Sequence, residues 1–321
     1  MKFIIYNPKT NLFDFFITSL IEEVKNRDKE IVSYINILEN KINESSSTNV
    51  PEKSSLSPIC FDKFNVSYKT DILLIIINPH FIFDYPEIKN ELIKLSKEFK
   101  YKIFYITEPI NFIIEKKVFQ DIIKLINPFA LWTYTYENFN KLKVNQPIFK
   151  IFPNNNSYHF IDINPEQIKS RSTNKIVFIG NITDNRKDIC NSFNDKLINY
   201  NNSWSKEEWS NILSSHLFYL NIHRRVGCKS FESFRIVPIL ANGGFIISER
   251  CNEEEELLYR DYNIIFVERD QLLDTFLKYQ CYDQYQNYNK DIVYDKCMLF
   301  RNKFNSSKEI NEFMEYYKNI I

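Results

Sequence analysis

Short apolar runs separated by amphipathic stretches set the rhythm of the first half of the chain. KFIIY (residues 2–6) has strand length, and after Pro8 the positions Phe13, Phe16, Leu20 and Ile21 recur at helical spacing. DILLIIIN (71–78), closed by Pro79, is a continuous run rich in β-branched residues. Such a run suits a parallel strand buried on both faces. YKIFYIT (101–107) and FALWTY (129–134) predict further strands of the same sheet. Strands alternating with helices predict an α/β domain. Within it the polar, serine-rich NESSSTNVPEKSSLSP (43–58) predicts a mobile loop.

Periodicity disappears over residues 154–174, which marks a domain boundary, and then restarts with KIVFIG (175–180). Asp184 is placed to cap a helix with Ile189, Phe193 and Leu197 on its apolar face. Ser205 and Glu208 form a capping-box pair ahead of another helix. Strands LFYLNI (217–222), FIIS (245–248) and NIIFV (263–267) then alternate with helices over 229–241, over the acidic run 253–256 and from Asp270. This order predicts a second, doubly wound α/β domain. SSKEINEFMEYYKNII opens with a capping box (Ser306, Glu309) and carries Ile310, Phe313, Met314 and Tyr317 on one face of a terminal helix. The expected organisation is therefore two Rossmann-like α/β domains, 1–160 and 170–305, and a terminal helix over 306–321. The carboxyl edges of the two sheets face a cleft, where open α/β sheets bind ligands.

Composition narrows the function. The chain has 321 residues, long enough for two domains, and with 44% hydrophobic and 26% charged residues it has the material for a sizeable core. Its 41 basic and 41 acidic side chains cancel, which removes the overall attraction that non-specific nucleic-acid or anionic-membrane binding uses, so any anion site is local. The aromatic residues fall largely on periodic apolar faces and read as core, not as a base-stacking surface. The six cysteines are scattered without metal-ligand spacing and read as buried thiols in a reducing, cytoplasmic compartment. No apolar run is long enough to span a membrane, and the opening run is too short for a signal-peptide core. The bias towards Ile, Asn and Lys is that of an AT-rich genome.

Only four glycines occur, at 180, 227, 243 and 244, and all fall at strand–loop–helix junctions of the second half. In FESFRIVPILANGGFIISER (231–250), Glu232 and Arg235 are three apart on one helical face, away from Phe234, Val237 and Pro238, which turn towards the sheet. At the helix end Ala241 permits close packing, Asn242 and Gly243 can take left-handed conformations, and Gly244 opens the next strand. Upstream, NIHRRVGCKS (221–230) places Gly227 with Arg224, Arg225 and Lys229 between a strand and a helix start, where a phosphate could be cradled. The same residues also read as a solvated basic loop with one turn glycine. Gly180, with Asn181 and Arg186 nearby, ends the preceding strand in the same way. The run Glu253 to Glu256 points around a helix and cannot converge on one metal ion; it marks a helix start.

The pattern FIGN…R, LNIHRR…FESFRIVPILANGGFIISE and NIIFVERDQL resembles the nucleotide-sugar-binding domain of GT-B glycosyltransferases. The likeness is greatest to the divergent glycosyltransferase-like proteins of large DNA viruses and AT-rich bacteria, and a viral chain would work in the host cytoplasm. INPHFIF, YITEPI and LWTYTYEN are similar to acceptor-domain strands of the same group. The resemblance implies a nucleotide-sugar donor held by the second domain and a glycan, protein or small-molecule acceptor facing the first. It implies no metal or other cofactor. Glu232 would hydrogen-bond the donor ribose or sugar, Lys229 and Arg235 would contact the diphosphate, and Ser248 and Glu249 would border the sugar. Many GT-B enzymes carry two glutamates eight residues apart, and here those places hold Ser230 and Pro238. An inverting reaction needs a base on the acceptor side, and His80 and Glu108, each just after a predicted strand, are the candidates. His80 reads more readily as a hydrogen-bonded loop histidine. His223 is placed as a phosphate or sugar contact. The competing reading is a GT-B-like module without turnover, acting as a binding or structural partner. Neither GxxxxGK[ST] nor GxGxxG is present, which disfavours a P-loop or dinucleotide-binding enzyme.

Overall fold

The computed structural model describes residues 3–6, 34–36, 67, 69, 71–76, 86–107, 110, 113–153, 158–201, 205–225, 227–284, 290–304 and 307–320. The predicted helix over 13–21, the loop over 43–58, Ser306 of the terminal capping box, His80 and Glu108 lie outside these residues.

The first apolar runs form β1 (Phe3–Tyr6), β2 (Tyr34–Asn36), β3 (Ile72–Ile76), β4 (Tyr101–Ile106), β5 (Ala130–Thr133) and β6 (Ile148–Lys150). All pair in parallel in the order β2-β1-β3-β4-β5-β6. Helices α1 (Pro86–Glu98), α2 (Ile113–Ile126) and α3 (Tyr136–Lys141) lie between the later strands. β3 shows why its run is continuous: Ile72, Leu74 and Ile76 enter one apolar cluster, while Leu73 and Ile75 enter another with Leu92, Leu95, Phe119 and Ile123 of α1 and α2. Side chains alternate across a strand, so a strand covered on both sides is apolar throughout.

The segment expected to be irregular contains a short helix, α4 (Pro165–Ser170), which Asn164 caps by accepting from the Gln167 N–H at 2.8 Å. Proline at the first helical position suits such a start. A second parallel sheet follows, of β7 (Ser172–Ile179), β8 (Leu197–Tyr200), β9 (His216–Asn221), β10 (Phe245–Glu249) and β11 (Ile264–Val267), in the order β11-β10-β9-β7-β8. Its helices are α5 (Asp184–Ser192), α6 (Lys206–Ser215), α7 (Ser233–Ala241), α8 (Glu253–Tyr259), α9 (Leu272–Gln284) and α10 (Lys290–Lys303). The Ser205–Glu208 capping box is present.

Three boundaries differ from the sequence reading. Thr183, not Asp184, stands at the N-cap of α5, and the helix stops before Asn194, which takes a φ of 49°; Leu197 therefore belongs to β8, a strand the pattern did not predict. Helix α7 begins at Ser233 and not near 229, because the residues before it are held by groups described below. Asn242 is not left-handed (φ −115°); only Gly243 is, at φ 72°.

Asn242 has a different task. Fully buried, its amide donates to the carbonyls of Tyr158 and Pro238 and accepts from the N–H groups of Phe160 and Ile161 at 3.0 and 3.2 Å. It thereby pins the chain connecting the two sheets to the end of α7. The terminal helix α11 (Ser307–Lys318) packs on the first sheet: Phe313 meets Trp132 edge-on at 4.9 Å between ring centres, and Tyr316 stacks on Phe129. Phe234 of α7 likewise faces Tyr134 and Tyr105 of the first sheet's side, not only its own sheet. Residues of both sheets share one apolar cluster through these contacts.

Candidate functional site

In the second sheet β8 and β9 flank β7, so the chain reverses its direction of winding there. Loops leaving β7 and β9 at their carboxyl ends diverge around the crevice where open α/β sheets hold ligands. The sequence candidates converge at this point. Gly180 leaves β7 at φ 139°, a conformation that favours glycine, and a Cβ there would stand in ordinary contact with the Arg235 guanidinium, 3.4 Å away.

Glu232, at the N-cap of α7, forms ion pairs with two arginines. Arg186 Nη2 reaches one carboxylate oxygen at 2.7 Å and Arg235 Nη2 contacts the other. Arg186 is nearly fully buried; it also donates to the carbonyls of Ile222 (3.0 Å) and Asn181 (2.9 Å), so its fork is fixed on both sides. Both guanidiniums lie over the Phe178 ring, each with its central carbon 5.1 Å from the ring centre. Partial burial raises the Glu232 carboxyl, but Arg235, Arg186, His223 and Arg224 outweigh it and hold the group below the usual carboxylate range. Its side chain remains 23% exposed, so the ion-paired carboxylate still meets solvent.

A hydrogen-bond chain supports Arg235 from behind. Its Nη1 donates to Asn221 Oδ1 at 3.3 Å, and Asn221 Nδ2 donates to the Ser248 hydroxyl at 3.0 Å. Asn221 and Ser248 are fully buried, which places Ser248 behind the site and not at a ligand surface. Glu249 accepts from the His223 N–H at 3.0 Å and pairs with Arg269 at 3.1 Å. His223 is 2% exposed; its Nε2 lies 2.7 Å from the Arg250 carbonyl, which can only accept, so Nε2 carries the proton. Nδ1 is buried and has no hydrogen-bond partner among the described residues.

The basic loop is more open. Arg224 and Lys229 are exposed, Arg225 is half-buried, and Gly227 turns at φ 76° with nothing within 4 Å of where a Cβ would be. Gly227 stands six residues before α7, so the helix start does not cradle a ligand at that glycine. Gly243 and Gly244 precede β10 and so sit at the opposite edge of the sheet from Gly180. A Cβ on Gly244 would collide with Ile239 and come within 2.8 Å of the Tyr219 ring, and one on Gly243 would stand 3.0 Å from Ile168. Their role is close packing, not ligand contact.

The structure thus brings together Gly180, Asn181, Arg186, His223, Glu232 and Arg235, with Arg224 at the rim. It adds Asn221, Arg269 and Glu255, which the sequence reading passed over. Asn221 gives no signal beyond standing at a strand end. Glu255 lies four residues before the buried Tyr259 on one helical face, which could have separated it from its three acidic neighbours. Among the described residues no group of three or more His, Cys, Asp or Glu could hold a metal ion, and no helix is long and apolar enough to cross a membrane.

No protein-family model matches the chain, and no curated protein matches it in sequence. Solved structures do match in shape over nearly its whole length. An alpha-glucosyltransferase in complex with UDP-glucose and DNA containing an abasic site aligns with TM-score 0.63 at 11% identity, covering 99% of this chain and 98% of that one. Anabaena Alr3699/HepE in complex with UDP-glucose aligns with TM-score 0.61 at 10% identity, covering 99% and 100%. A glycosyltransferase from Rickettsia africae aligns with TM-score 0.53 at 12% identity, covering 99% and 98%. At such identities the likeness concerns the fold: this chain has the α/β architecture, with two parallel sheets, of GT-B glycosyltransferases.

Proposed function

We propose that the chain is a glycosyltransferase that binds a nucleotide sugar at the carboxyl edge of the second sheet and passes the sugar to a glycan, protein or small-molecule acceptor facing the first. The observation that carries this reading is the Arg186–Glu232–Arg235 group at the winding reversal, in a fold whose solved examples hold UDP or UDP-glucose. Two guanidiniums beside an ionised carboxylate suit a diphosphate next to a hydroxyl-bearing sugar: Arg grips phosphate oxygens, and a carboxylate accepts from hydroxyls. Arg235 and the rim residues Arg224, Arg225 and Lys229 supply positive charge, so the diphosphate is neutralised by side chains without a metal. The unpartnered His223 Nδ1 is placed to hydrogen-bond a further hydroxyl of the donor. We assign the acceptor-side base to His80 or Glu108, in the domain formed by residues 1–160. The buried thiols of Cys190, Cys251 and Cys297 fit a reducing, cytoplasmic setting.

Release of nucleoside diphosphate from UDP-, GDP-, CDP- and dTDP-sugars, with and without mixed acceptors, tests the assignment. Slow hydrolysis of one donor, lost in Arg235→Ala, is the expected outcome. A second reading, a donor-binding module without turnover, is favoured by Ser230 and Pro238 standing where many GT-B enzymes carry glutamates. It predicts saturable donor binding with no release of diphosphate.

A further inference from the structure

Two buried carboxylates join the sheets immediately before Glu232. Glu255 of α8, 1% exposed, accepts from the Phe231 N–H at 2.9 Å through one oxygen and from the Tyr136 N–H at 3.1 Å through the other. Phe231 belongs to the chain leading into α7, and Tyr136 is the first residue of α3, which follows β5 of the first sheet. The Thr135 hydroxyl also bonds Glu255. The reciprocal contact comes from the other side: the Ser230 hydroxyl donates to the carboxylate of Glu137 on α3, and Lys141 pairs with the second oxygen of Glu137. Ser230, Phe231 and Glu137 are all buried. Each carboxylate therefore reaches from one sheet's side to the other, and both end on the two residues that precede Glu232.

These bonds explain why α7 starts late. The Ser230–Phe231 segment is committed to Glu255 and Glu137, so the backbone turns into helix only after Glu232, whose ψ of 65° is not helical. We propose that Glu255 and Glu137 are positioning residues: together they form a two-point latch through which the first sheet's α3 fixes Ser230–Phe231 and so sets where Glu232 stands. This rests on the reading of Glu232 as part of the donor pocket. Donor binding and the contact between the two sheets are then coupled, since any motion that separates α3 from α8 frees the residues ahead of the pocket carboxylate.

The latch is sensitive to protonation. Burial pushes the Glu255 carboxyl up to about 7 against the opposing effect of its hydrogen bonds and of Lys150. The other ionisable groups that face this cluster are Lys150 of β6, Tyr136 and Lys141 of α3, Cys228, Cys251, Glu254 and Tyr259 of α8, and Glu309 of α11. Ionised Glu255 accepts through both oxygens; once protonated, one oxygen becomes a donor and meets an N–H that also donates.

The test is amide hydrogen exchange on the full chain, together with titration of UDP, for the wild type, Glu255→Gln and Glu137→Gln. The expected result is that Glu255→Gln accelerates exchange in both 134–138 and 229–236 by tenfold or more and weakens UDP binding about tenfold. Glu137→Gln acts in the same direction and less strongly. Lowering the pH of the wild type from 8 to 6 accelerates the same two segments beyond the intrinsic pH effect, and Glu255→Gln abolishes that response. Unchanged exchange in either segment, or accelerated exchange with unchanged UDP affinity, overturns the latch. A wild type that binds no nucleoside diphosphate refutes the donor-pocket reading, and the positioning role falls with it. The pH series on the wild type tests the contact without requiring any variant to fold.

Discussion

Lys150, at the end of β6, offers the most quantitative test because it is a buried cation without a hydrogen-bond partner among the described residues. Its ammonium lies over the rings of Tyr136 and Phe152, and only 9% of the residue is exposed. Burial pulls it down to about 7 from 10.5, against the attraction of Glu255, Glu309 and Glu254. A depressed lysine makes the folded state bind fewer protons than the unfolded chain. The penalty is therefore fully present below pH 7 and fades as the pH rises towards 10.5. At about 1.4 kcal/mol per pH unit, it amounts to roughly 4 kcal/mol at pH 7 and about 2 kcal/mol at pH 9. Lys150→Met keeps the apolar stem and removes the charge, at the loss of a cation–π contact of about 1–2 kcal/mol. The variant should be more stable than the wild type by about 2–3 kcal/mol at pH 7, and the gap should narrow by about 2 kcal/mol at pH 9. Urea unfolding followed by tryptophan fluorescence at the two pH values measures both. A destabilised variant, or a gap that does not change with pH, would mean that Lys150 carries no burial penalty.

Other substitutions separate ligand contacts from packing. Arg235→Ala should weaken UDP binding by about 1.5–3 kcal/mol, the worth of a charged hydrogen bond, while Glu232 keeps Arg186 and the fold survives; calorimetric titration and a melting curve check the two parts. Gly244→Val should lower stability by about 3 kcal/mol or more without touching the pocket, because Ile239 and Tyr219 already occupy the space a side chain needs; a melting temperature within a degree of wild type would contradict this. Asn242→Ala should cost about 1–3 kcal/mol by removing the acceptor of the Ile161 N–H and the amide bridge to the Tyr158 and Pro238 carbonyls, and should speed proteolysis between the two sheets.

What could be read in the sequence follows from how locally each feature is determined. β3 was legible because a strand covered on both faces becomes an unbroken apolar run, and β4 because Lys102 alone interrupts its run. The half-exposed LINY of β8, at the edge of its sheet and carrying Asn199, has no such signature. Glu232 and Arg235 were legible as a pair because they stand one helical turn apart, and Gly180 because a glycine ending a strand is rare in this chain. Arg186 was placed near the site, but its partner Glu232 is 46 residues away, so its role as a buried fork was not. Glu255 shows the limit most clearly. It looks like one of four acids at a helix start, yet it is buried against the backbone of Tyr136, 119 residues distant, and no local pattern encodes that partner. Asn242 looked like a turn residue for the same reason: its hydrogen bonds run to Tyr158, Phe160 and Ile161.

Glu232, flanked by Arg186 and Arg235, stands at the centre of the proposed nucleotide-sugar pocket. Isothermal titration of UDP, GDP, CDP and dTDP into the wild type and into Arg235→Ala is the direct test. Saturable binding of one of them at one site is expected in the wild type, tighter than that of the matching nucleoside and at least tenfold weaker in the variant. Wild-type affinity retained in Arg235→Ala, or no binding of any nucleoside diphosphate by a folded wild type, would contradict it.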